Sequence, residues 1–146
     1  MKLFVKLLHP NAKLPKVAYG RNENGRYGSA GIDLFSIEDV TILPFNIGIV
    51  RLGIATEFPP EYVGILKDRS SMGKRGFHVF GGVFDSNYRG EWALLLYNAT
   101  SYLSPIFAGE KVTQVIFQKL PEVSIHLVNE LSSTDRGEGK WGSSNE

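Results

Sequence analysis

Short runs of β-forming residues, separated by Gly, Pro, Asn and Asp, recur along most of this chain. Many short strands at even spacing are typical of a β-sandwich or β-barrel. Only residues 71–75 indicate a helix, and it would be a turn or two long. The sequence therefore predicts an all-β fold with one short helix. The predicted strands cover residues 4–8, 31–36, 40–43, 46–52, 53–58, 62–67, 77–80, 83–85, 91–98, 111–119 and 123–127.

Local composition refines this prediction at five places. Gly81-Gly82, between two predicted strands, is typical of a two-residue β-hairpin. Consecutive apolar residues at 93–96 and 115–117 indicate strands that are covered on both faces, by a second sheet or by another subunit. The polar segment 14–28 is expected to be a loop, and the tail from Ser132, rich in Ser and Gly, is expected to be mobile in the free chain.

Length and charge exclude several classes of protein. The 146 residues suit one domain, and the formal net charge of +1 provides no field that would attract nucleic acid or a membrane surface. Because cysteine is absent, disulfides and thiolate zinc sites are excluded. No apolar run approaches the roughly 18 residues of a membrane span, and residues 1–6 lack a signal-peptide pattern. We expect a cytoplasmic protein, with the nucleus or a virus-infected cell equally possible.

The run from Gly81 to Gly90 places an acid, an aromatic and a base within five residues. Asp85, at a strand end, suits a base that activates water. The two glycines leave backbone donors and acceptors that can pair with the edge of a flat base, and Tyr88 can pack beneath a sugar. A tight turn in which Asp85 caps backbone N–H groups explains the glycines and the aspartate equally well, and Tyr88 taken alone favours a core or interface aromatic.

The run from Asp68 to Gly76 follows a strand and enters the predicted helix. A serine at the helix start can cap free N–H groups, and that end attracts phosphate. Arg69 adds a fork-shaped donor for phosphate oxygens, and Gly76 can supply the C-cap. Taken alone, the run favours a capped surface turn, which is far commoner than a phosphate site.

Two further segments carry polar or aromatic residues in unusual settings. Gln114 lies within the apolar strand 112–117, and its amide needs partners, either protein groups or a ligand phosphate. The run from Arg136 to Ser144 is rich in glycine and has a basic residue, a composition that can wrap phosphates, while Trp141 can stack on a base as part of a lid. Judged alone, this run favours a disordered tail. His9, His78 and His126 lack metal-ligand spacing and are interpreted as structural or surface residues.

Taken together, five segments resemble the motifs of the homotrimeric dUTPase family, in the family's order and at its spacing. The resemblance extends from Ala30 to Ser144, nearly the whole chain. The five segments are Ala30–Leu34 (AGIDL), Arg69–Gly73 (RSSMG), Gly82–Gly90 (GVFDSNYRG), Gly109–Ile116 (GEKVTQVI) and Arg136–Ser144 (RGEGKWGSS).

This resemblance implies a jelly-roll-like β fold, with a β-barrel domain over residues 1–131 and a mobile C-terminal lid over 132–146 of the same domain. It implies a homotrimer with active sites between subunits, in which the C-terminal arm extends to a neighbouring subunit. The implied activity is hydrolysis of dUTP to dUMP and pyrophosphate, which limits uracil incorporation into DNA and supplies dUMP for dTMP synthesis. The implied cofactor is Mg²⁺, held mainly through phosphates and waters and not directly by protein ligands.

The resemblance also implies roles for individual residues. Asp85 would activate the water that attacks the α-phosphate, and Tyr88 would pack on the deoxyribose and exclude a 2′-hydroxyl. Backbone around Phe80, Gly82 and Val83 would read uracil. Asp33 would support the site. The other implied substrate-binding residues are Arg69, Ser70, Ser71, Gly73 and Gln114, with Arg136, Trp141, Gly142, Ser143 and Ser144 in the fifth motif.

Two alternatives share the fold. The dCTP deaminases carry a glutamate proton shuttle in the strand after the third motif, and alignment on Tyr97-Asn98 places Leu95 there. Because leucine cannot transfer protons, deamination is disfavoured. A nucleotide-binding or regulatory protein without turnover is the other alternative. The lid departs from the family at Lys140, at Trp141 (where phenylalanine is usual) and at the final Asn145-Glu146.

Overall fold

The computed structural model describes residues 1–20 and 28–140, and these form twelve strands and one short helix. This content confirms the predicted all-β fold with a single short helix. No helix among the described residues has the length and apolar character needed to cross a bilayer. The elements are β1 (Phe4–Leu7), β2 (Lys16–Val17), β3 (Ile32–Phe35), β4 (Val40–Ile42), β5 (Ile47–Arg51), β6 (Ile54–Glu57), β7 (Tyr62–Lys67), α1 (Ser70–Lys74), β8 (Phe77–Phe80), β9 (Val83–Phe84), β10 (Ala93–Asn98), β11 (Ser104–Ile106) and β12 (Lys111–Lys119).

The strands pair antiparallel in two main sheets and two short ladders. One sheet has the order β2-β3-β12-β7-β9, and the other has the order β5-β10-β8. The ladders are β1-β6 and β11-β4. Since most neighbours in a sheet are distant in sequence, the chain crosses repeatedly between sheets, as in jelly-roll folds.

The core lies between the inner faces of these sheets. Leu94 and Leu96 on β10 are fully buried, whereas Leu95 between them is 41 % exposed. This alternation is the period of two that a strand imposes on its side chains. The outer face of β10 is therefore open within the described chain, although the apolar run at 93–96 predicted cover on both faces. In the single chain, the sheets cover only the inner face.

The predicted hairpin at Gly81-Gly82 is wrong. β8 pairs with β10 in the three-stranded sheet, and β9 pairs with β7 in the five-stranded sheet. The two glycines, at φ of 68° and 84°, turn the chain from one sheet into the other. Positive φ at two successive residues is inexpensive only for glycine, and hairpins and sheet-to-sheet turns both use it. We call residues 80–83 the sheet corner.

The structure differs from the predicted strands at three further places. Residues 123–127 form no strand, although Val123, Ile125 and Leu127 alternate with polar residues. These three side chains are 74–101 % exposed, because no strand in the described part of the chain pairs with the segment. The structure adds β2, within the segment predicted to be a loop, and β11, which contains Pro105. Proline is tolerated in such a two-stranded ladder at a sheet edge, but it obscures the strand pattern.

Candidate active site

Asp33 is a buried carboxylate between two cations. Its side chain, on β3, is 5 % exposed. Arg69 Nε donates to Asp33 Oδ1 at 2.8 Å, and Lys111 Nζ lies 2.8 Å from Oδ2. A carboxylate this deeply buried requires such compensation. Because β12 lies beside β3, the first residue of β12 is brought to the same carboxylate as the arginine that follows β7.

Arg69 is held at three points at the start of α1. Besides its bond to Asp33, its Nη1 donates to Ser71 Oγ at 3.0 Å and to the carbonyl oxygen of Lys111 at 3.1 Å. The Arg69 side chain is still 24 % exposed. Its orientation is therefore fixed while part of it faces solvent. We call Asp33, Arg69, Ser71 and Lys111 the Asp33 cluster.

The prediction that a serine caps α1 is wrong. The N-cap residue is Arg69, which makes no side-chain cap hydrogen bond. The hydroxyl of Ser71 instead accepts from the Arg69 guanidinium. Ser70, Ser71 and Gly73 are exposed along this short helix. As predicted, a left-handed glycine, Gly76 at φ 81°, follows its C-terminal end.

Gln114 projects from β12 towards the end of β7. Its Nε2 donates to the carbonyl oxygen of Asp68 at 2.8 Å, so a protein group satisfies the amide in the single chain. Gly31 lies against the other end of this amide, since a Cβ built at Gly31 would be 2.0 Å from Gln114 Oε1. The glycine of the first motif therefore provides the space that Gln114 occupies.

Asp85 and Tyr88 lie on an exposed turn after β9. Among the residues described, no side-chain hydrogen bond engages the Asp85 carboxylate, so it does not cap this turn as the alternative interpretation required. Tyr88 is 44 % exposed, and its hydroxyl donates to the carbonyl oxygen of Glu91 at 3.1 Å. A Cβ at Gly90 would be 2.3 Å from that hydroxyl, so the ring packs directly on the glycine.

A rigid aromatic stack supports this turn. Phe84, immediately before Asp85, stacks on Trp92 with a centroid separation of 4.0 Å and an interplanar angle of 18°. Trp92 is 1 % exposed. Since the chain continues directly from a residue fixed against the core, the backbone of Asp85 has a defined position while its carboxylate remains in contact with solvent.

The sheet corner presents apolar side chains and backbone to solvent. Phe80 and Val83 are 42 % and 66 % exposed. Gly82 lies so close to Leu66 that a Cβ would approach the Leu66 Cβ to 2.9 Å. Leu95, the residue that aligns with the deaminase glutamate, pairs with Phe80 across β10 and β8. That position is therefore beside the corner, and it carries no titratable group.

Within one chain, these residues form two separate groups. Gln114 pairs with Lys67 across β12 and β7, whereas Phe84, just before Asp85, pairs with Gly64. Three residues along a strand correspond to roughly 10 Å. The structure therefore brings Gln114 to the Asp33 cluster but does not bring Asp85 to it.

The C-terminal residues of the predicted site form a third group. Arg136 is exposed, and its Nε donates to the carbonyl oxygen of Gly139 at 3.4 Å, within a local turn. Trp141, Gly142, Ser143 and Ser144 lie outside the described residues. Neither Lys111 nor Asp68 was predicted to belong to the site, since no spacing rule separates them from other charged residues. Only the place of Lys111 within the fourth motif and of Asp68 just before the second could have indicated them.

Comparison with known proteins decides the family. The dUTPase family model matches residues 21–145. The chain belongs to the dUTPase family. The deoxyuridine 5'-triphosphate nucleotidohydrolases of Hydrogenobaculum sp. and of Paramecium bursaria Chlorella virus 1 are each 35 % identical to it. The first alignment covers 98 % of this chain and 97 % of the relative, and the second covers 97 % and 96 %.

Solved structures confirm the jelly-roll-like dUTPase fold. A mutant of the Staphylococcus bacteriophage 80alpha dUTPase, solved with dUpNHpp, superposes with a TM-score of 0.82 at 26 % identity, covering 98 % of each chain. A dUTPase mutant from phage phi11 of S. aureus, described with a structural Mg(II) ion, has a TM-score of 0.76 at 23 % identity. That alignment covers 91 % of this chain and all of the phage chain, and it bears on the fold alone.

Proposed function

We propose that this dUTPase-family chain hydrolyses dUTP to dUMP and pyrophosphate, and so limits uracil incorporation into DNA and supplies dUMP for dTMP synthesis. The observation that carries the proposal is the exposed Asp85 carboxylate, which lies on the turn with Tyr88 and directly follows Phe84, a residue packed on the buried Trp92. Its relatives of 35 % identity bear the name deoxyuridine 5'-triphosphate nucleotidohydrolase.

In this mechanism, Asp85 is the general base. Its carboxylate accepts a proton from a water molecule as the water oxygen bonds to the α-phosphorus. The bond from the α-phosphorus to the oxygen that bridges the α- and β-phosphates then breaks, and pyrophosphate leaves. Tyr88 would pack against the deoxyribose, since its ring is fixed by Gly90 and by the hydrogen bond to the carbonyl of Glu91.

Arg69 would bind the phosphates in a fixed orientation. Its Nε and Nη1 are occupied by protein acceptors, whereas its Nη2 makes no hydrogen bond within residues 1–20 and 28–140. A guanidinium that is already fixed through Nε and Nη1 loses little entropy when Nη2 binds phosphate. Ser70, Ser71, Gly73 and Gln114 lie around it or on the adjacent strand, and we assign them to the same subsite.

The residues of the proposed site are compatible with a Mg²⁺ ion that binds together with the nucleotide. Within the described residues, no three or more acidic or histidine side chains converge on one point. Both oxygens of Asp33 face cations, so this acid is poorly suited to a metal ligand. Mg²⁺ retains water readily and binds phosphate oxygens, so we propose that phosphates and waters hold it. When bound, it would offset the negative charge of the triphosphate.

The separation of Asp85 from the Asp33 cluster supports a site shared between subunits. A triphosphate that contacts Arg69 and Gln114 needs a base near its α-phosphorus, and Asp85 of the same chain is too far along β7. We propose that a second copy supplies Asp85 and that the chain forms a homotrimer. Residues 132–146 would form a C-terminal lid that brings Arg136 and Trp141 to the nucleotide.

The decisive experiment is incubation of the purified protein with dUTP, dCTP, dTTP or UTP in the presence of Mg²⁺, with analysis of pyrophosphate and nucleotide products. We expect pyrophosphate and dUMP from dUTP and no product from the other three. Ammonia or dUTP formed from dCTP would instead indicate a deaminase. Bound but unreacted dUTP would indicate a regulatory nucleotide-binding protein.

The role of Asp85 has its own test. We expect Asp85→Asn to bind dUTP but to turn it over at least about a hundredfold more slowly, because an amide cannot accept the proton. Glu61→Gln, another exposed carboxylate on this chain, is the matched control and should be as active as the wild type. Stopped assays of dUMP formation and a dUTP titration measure the two effects. Near-normal turnover by Asp85→Asn would refute the assignment.

A further inference from the structure

The end of β7 and the residue after it contact the sheet corner at Gly82 and the residue just before the corner, Val79. The N–H of Leu66 donates to the carbonyl oxygen of Gly82 at 2.8 Å. Two residues later, Asp68 Oδ1 accepts the N–H of Val79 at 2.7 Å. The chain from Val79 to Gly82 is therefore held at both ends by one short stretch of β7 and its exit.

The hydrogen bond between Val79 and Asp68 satisfies a backbone N–H group that the position of β8 in its sheet leaves without a strand partner. β8 is an edge strand, because its sheet has the order β5-β10-β8. Backbone N–H groups on the outer side of an edge strand have no ladder partner. The N–H of Val79 finds its acceptor in a side chain from the other sheet. Asp68 Oδ2 lies 2.7 Å from Nδ1 of His78 on the same edge, so both carboxylate oxygens are engaged.

The same residue borders the proposed phosphate subsite. The carbonyl oxygen of Asp68 accepts from Gln114 Nε2 at 2.8 Å, and Arg69 is the next residue in the chain. Asp68 thus connects the sheet corner to two groups that we assign to phosphate binding. Its position contrasts with that of Asp85, which has no contact with these groups.

We propose that Asp68 is a positioning residue for base selection, an inference that rests on the proposed dUTP hydrolysis. Uracil and cytosine differ along one edge, where uracil carries a carbonyl acceptor beside an N–H donor and cytosine carries an amino donor beside an acceptor nitrogen. The family resemblance implies that backbone groups at the corner read this edge, and they distinguish the two bases only if their positions are fixed. Two glycines at positive φ do not supply this rigidity themselves; the Leu66–Gly82 hydrogen bond holds one end of the segment, and the Asp68–Val79 hydrogen bond holds the other.

The test compares kcat/KM for dUTP and dCTP in Asp68→Ala, Asp68→Asn and the wild type. We expect Asp68→Ala to reduce the preference for dUTP by at least about tenfold, mainly through KM for dUTP. Asp68→Asn retains an oxygen for the N–H of Val79 and an N–H for His78, so its preference should stay within about threefold of the wild type. If Asp68→Ala does not fold, Asp68→Glu, which displaces the acceptor by one methylene, should lower the preference in the same direction.

Asp39→Ala is the matched control. Asp39 Oδ1 accepts the N–H of Ala108 at 2.7 Å, so the variant loses the same type of bond at a place remote from the corner. Its preference for dUTP should equal that of the wild type. An unchanged preference in Asp68→Ala, or an equal fall in Asp39→Ala, would overturn the inference. A wild-type protein that does not turn over dUTP would overturn the proposed function instead.

Discussion

Gly31 illustrates how one residue in a motif determines the geometry of another. A methyl group at this position would lie 2.0 Å from Gln114 Oε1, which is well inside van der Waals contact. Gln114 is anchored at its other end by the Asp68 carbonyl and cannot move without losing that bond. Glycine is therefore required at position 31 because the Gln114 side chain occupies the space of a Cβ, and not because of the backbone angles at position 31.

We expect Gly31→Ala to lower kcat/KM for dUTP by at least about tenfold, because the displaced amide no longer faces the phosphate subsite. The stability cost should be about 1–3 kcal/mol, as for other overpacked sites. Steady-state kinetics and thermal unfolding measure the two effects. Gly20→Ala is the control, since a Cβ there meets no atom of the described residues within 4 Å. Unchanged kinetics in Gly31→Ala would contradict this account of Gln114.

The sequence indicated several polar groups in unusual settings but could not predict their partners. Asp33 was expected to support the site, yet nothing local indicates that Lys111 lies 2.8 Å from it. The serine cap of α1 failed because the Ser71 hydroxyl binds the Arg69 guanidinium, an interaction that depends on where Asp33 holds that arginine. Contacts between residues distant in sequence follow from sheet order, which local patterns do not encode.

At the scale of elements, the strands were predictable and their pairing was not. The bounds of β7 and β12 match the predicted residues 62–67 and 111–119. The turn at Gly81-Gly82 was predicted as a turn but assigned to the wrong structure, because a hairpin and a sheet-to-sheet crossing need the same left-handed glycines. The prediction of a strand at 123–127 was wrong because alternation of apolar and polar residues is not sufficient for a strand. A strand also requires a partner strand.

The C-terminal segment is an element whose removal should affect activity without affecting the fold. Residues 132–140 are exposed throughout, and their hydrogen bonds are local to the turn at 134–139. We expect a chain truncated before Arg136 to keep the unfolding temperature within a few degrees but to lose at least about a hundredfold in kcat/KM, since closure over the nucleotide is lost.

Truncation after Ser144 is the control for this experiment, because it removes only Asn145 and Glu146 and keeps the fifth motif. Activity and unfolding temperature of both truncated chains should be measured side by side. Full activity without the motif would show that the tail is not a lid. A large fall in unfolding temperature would show that it is part of the fold.

At the scale of the whole molecule, two apolar surfaces lack cover within the described chain. On the outer face of the three-stranded sheet, Ile49 and Phe80 are the register partners of Leu95, and all three are at least 41 % exposed. In the segment after β12, Ile125 and Leu127 are 94 % and 101 % exposed. Soluble monomers rarely expose apolar residues in such groups, so these surfaces favour contact between copies.

The proposed homotrimer gives this argument a direct test. Light scattering should measure a mass three times that of the 16.2 kDa chain. We expect Ile125→Lys to shift this mass towards that of the monomer at low micromolar concentration and to lower activity in parallel, because burial of the charged side chain in an interface is costly. Glu122→Lys, an exposed charge in the same segment, should leave both unchanged. A wild-type protein that is fully active as a monomer would contradict the homotrimer. Asp85 and Arg69 of one chain would then have to meet in a single site, which would require a conformational change that brings them together.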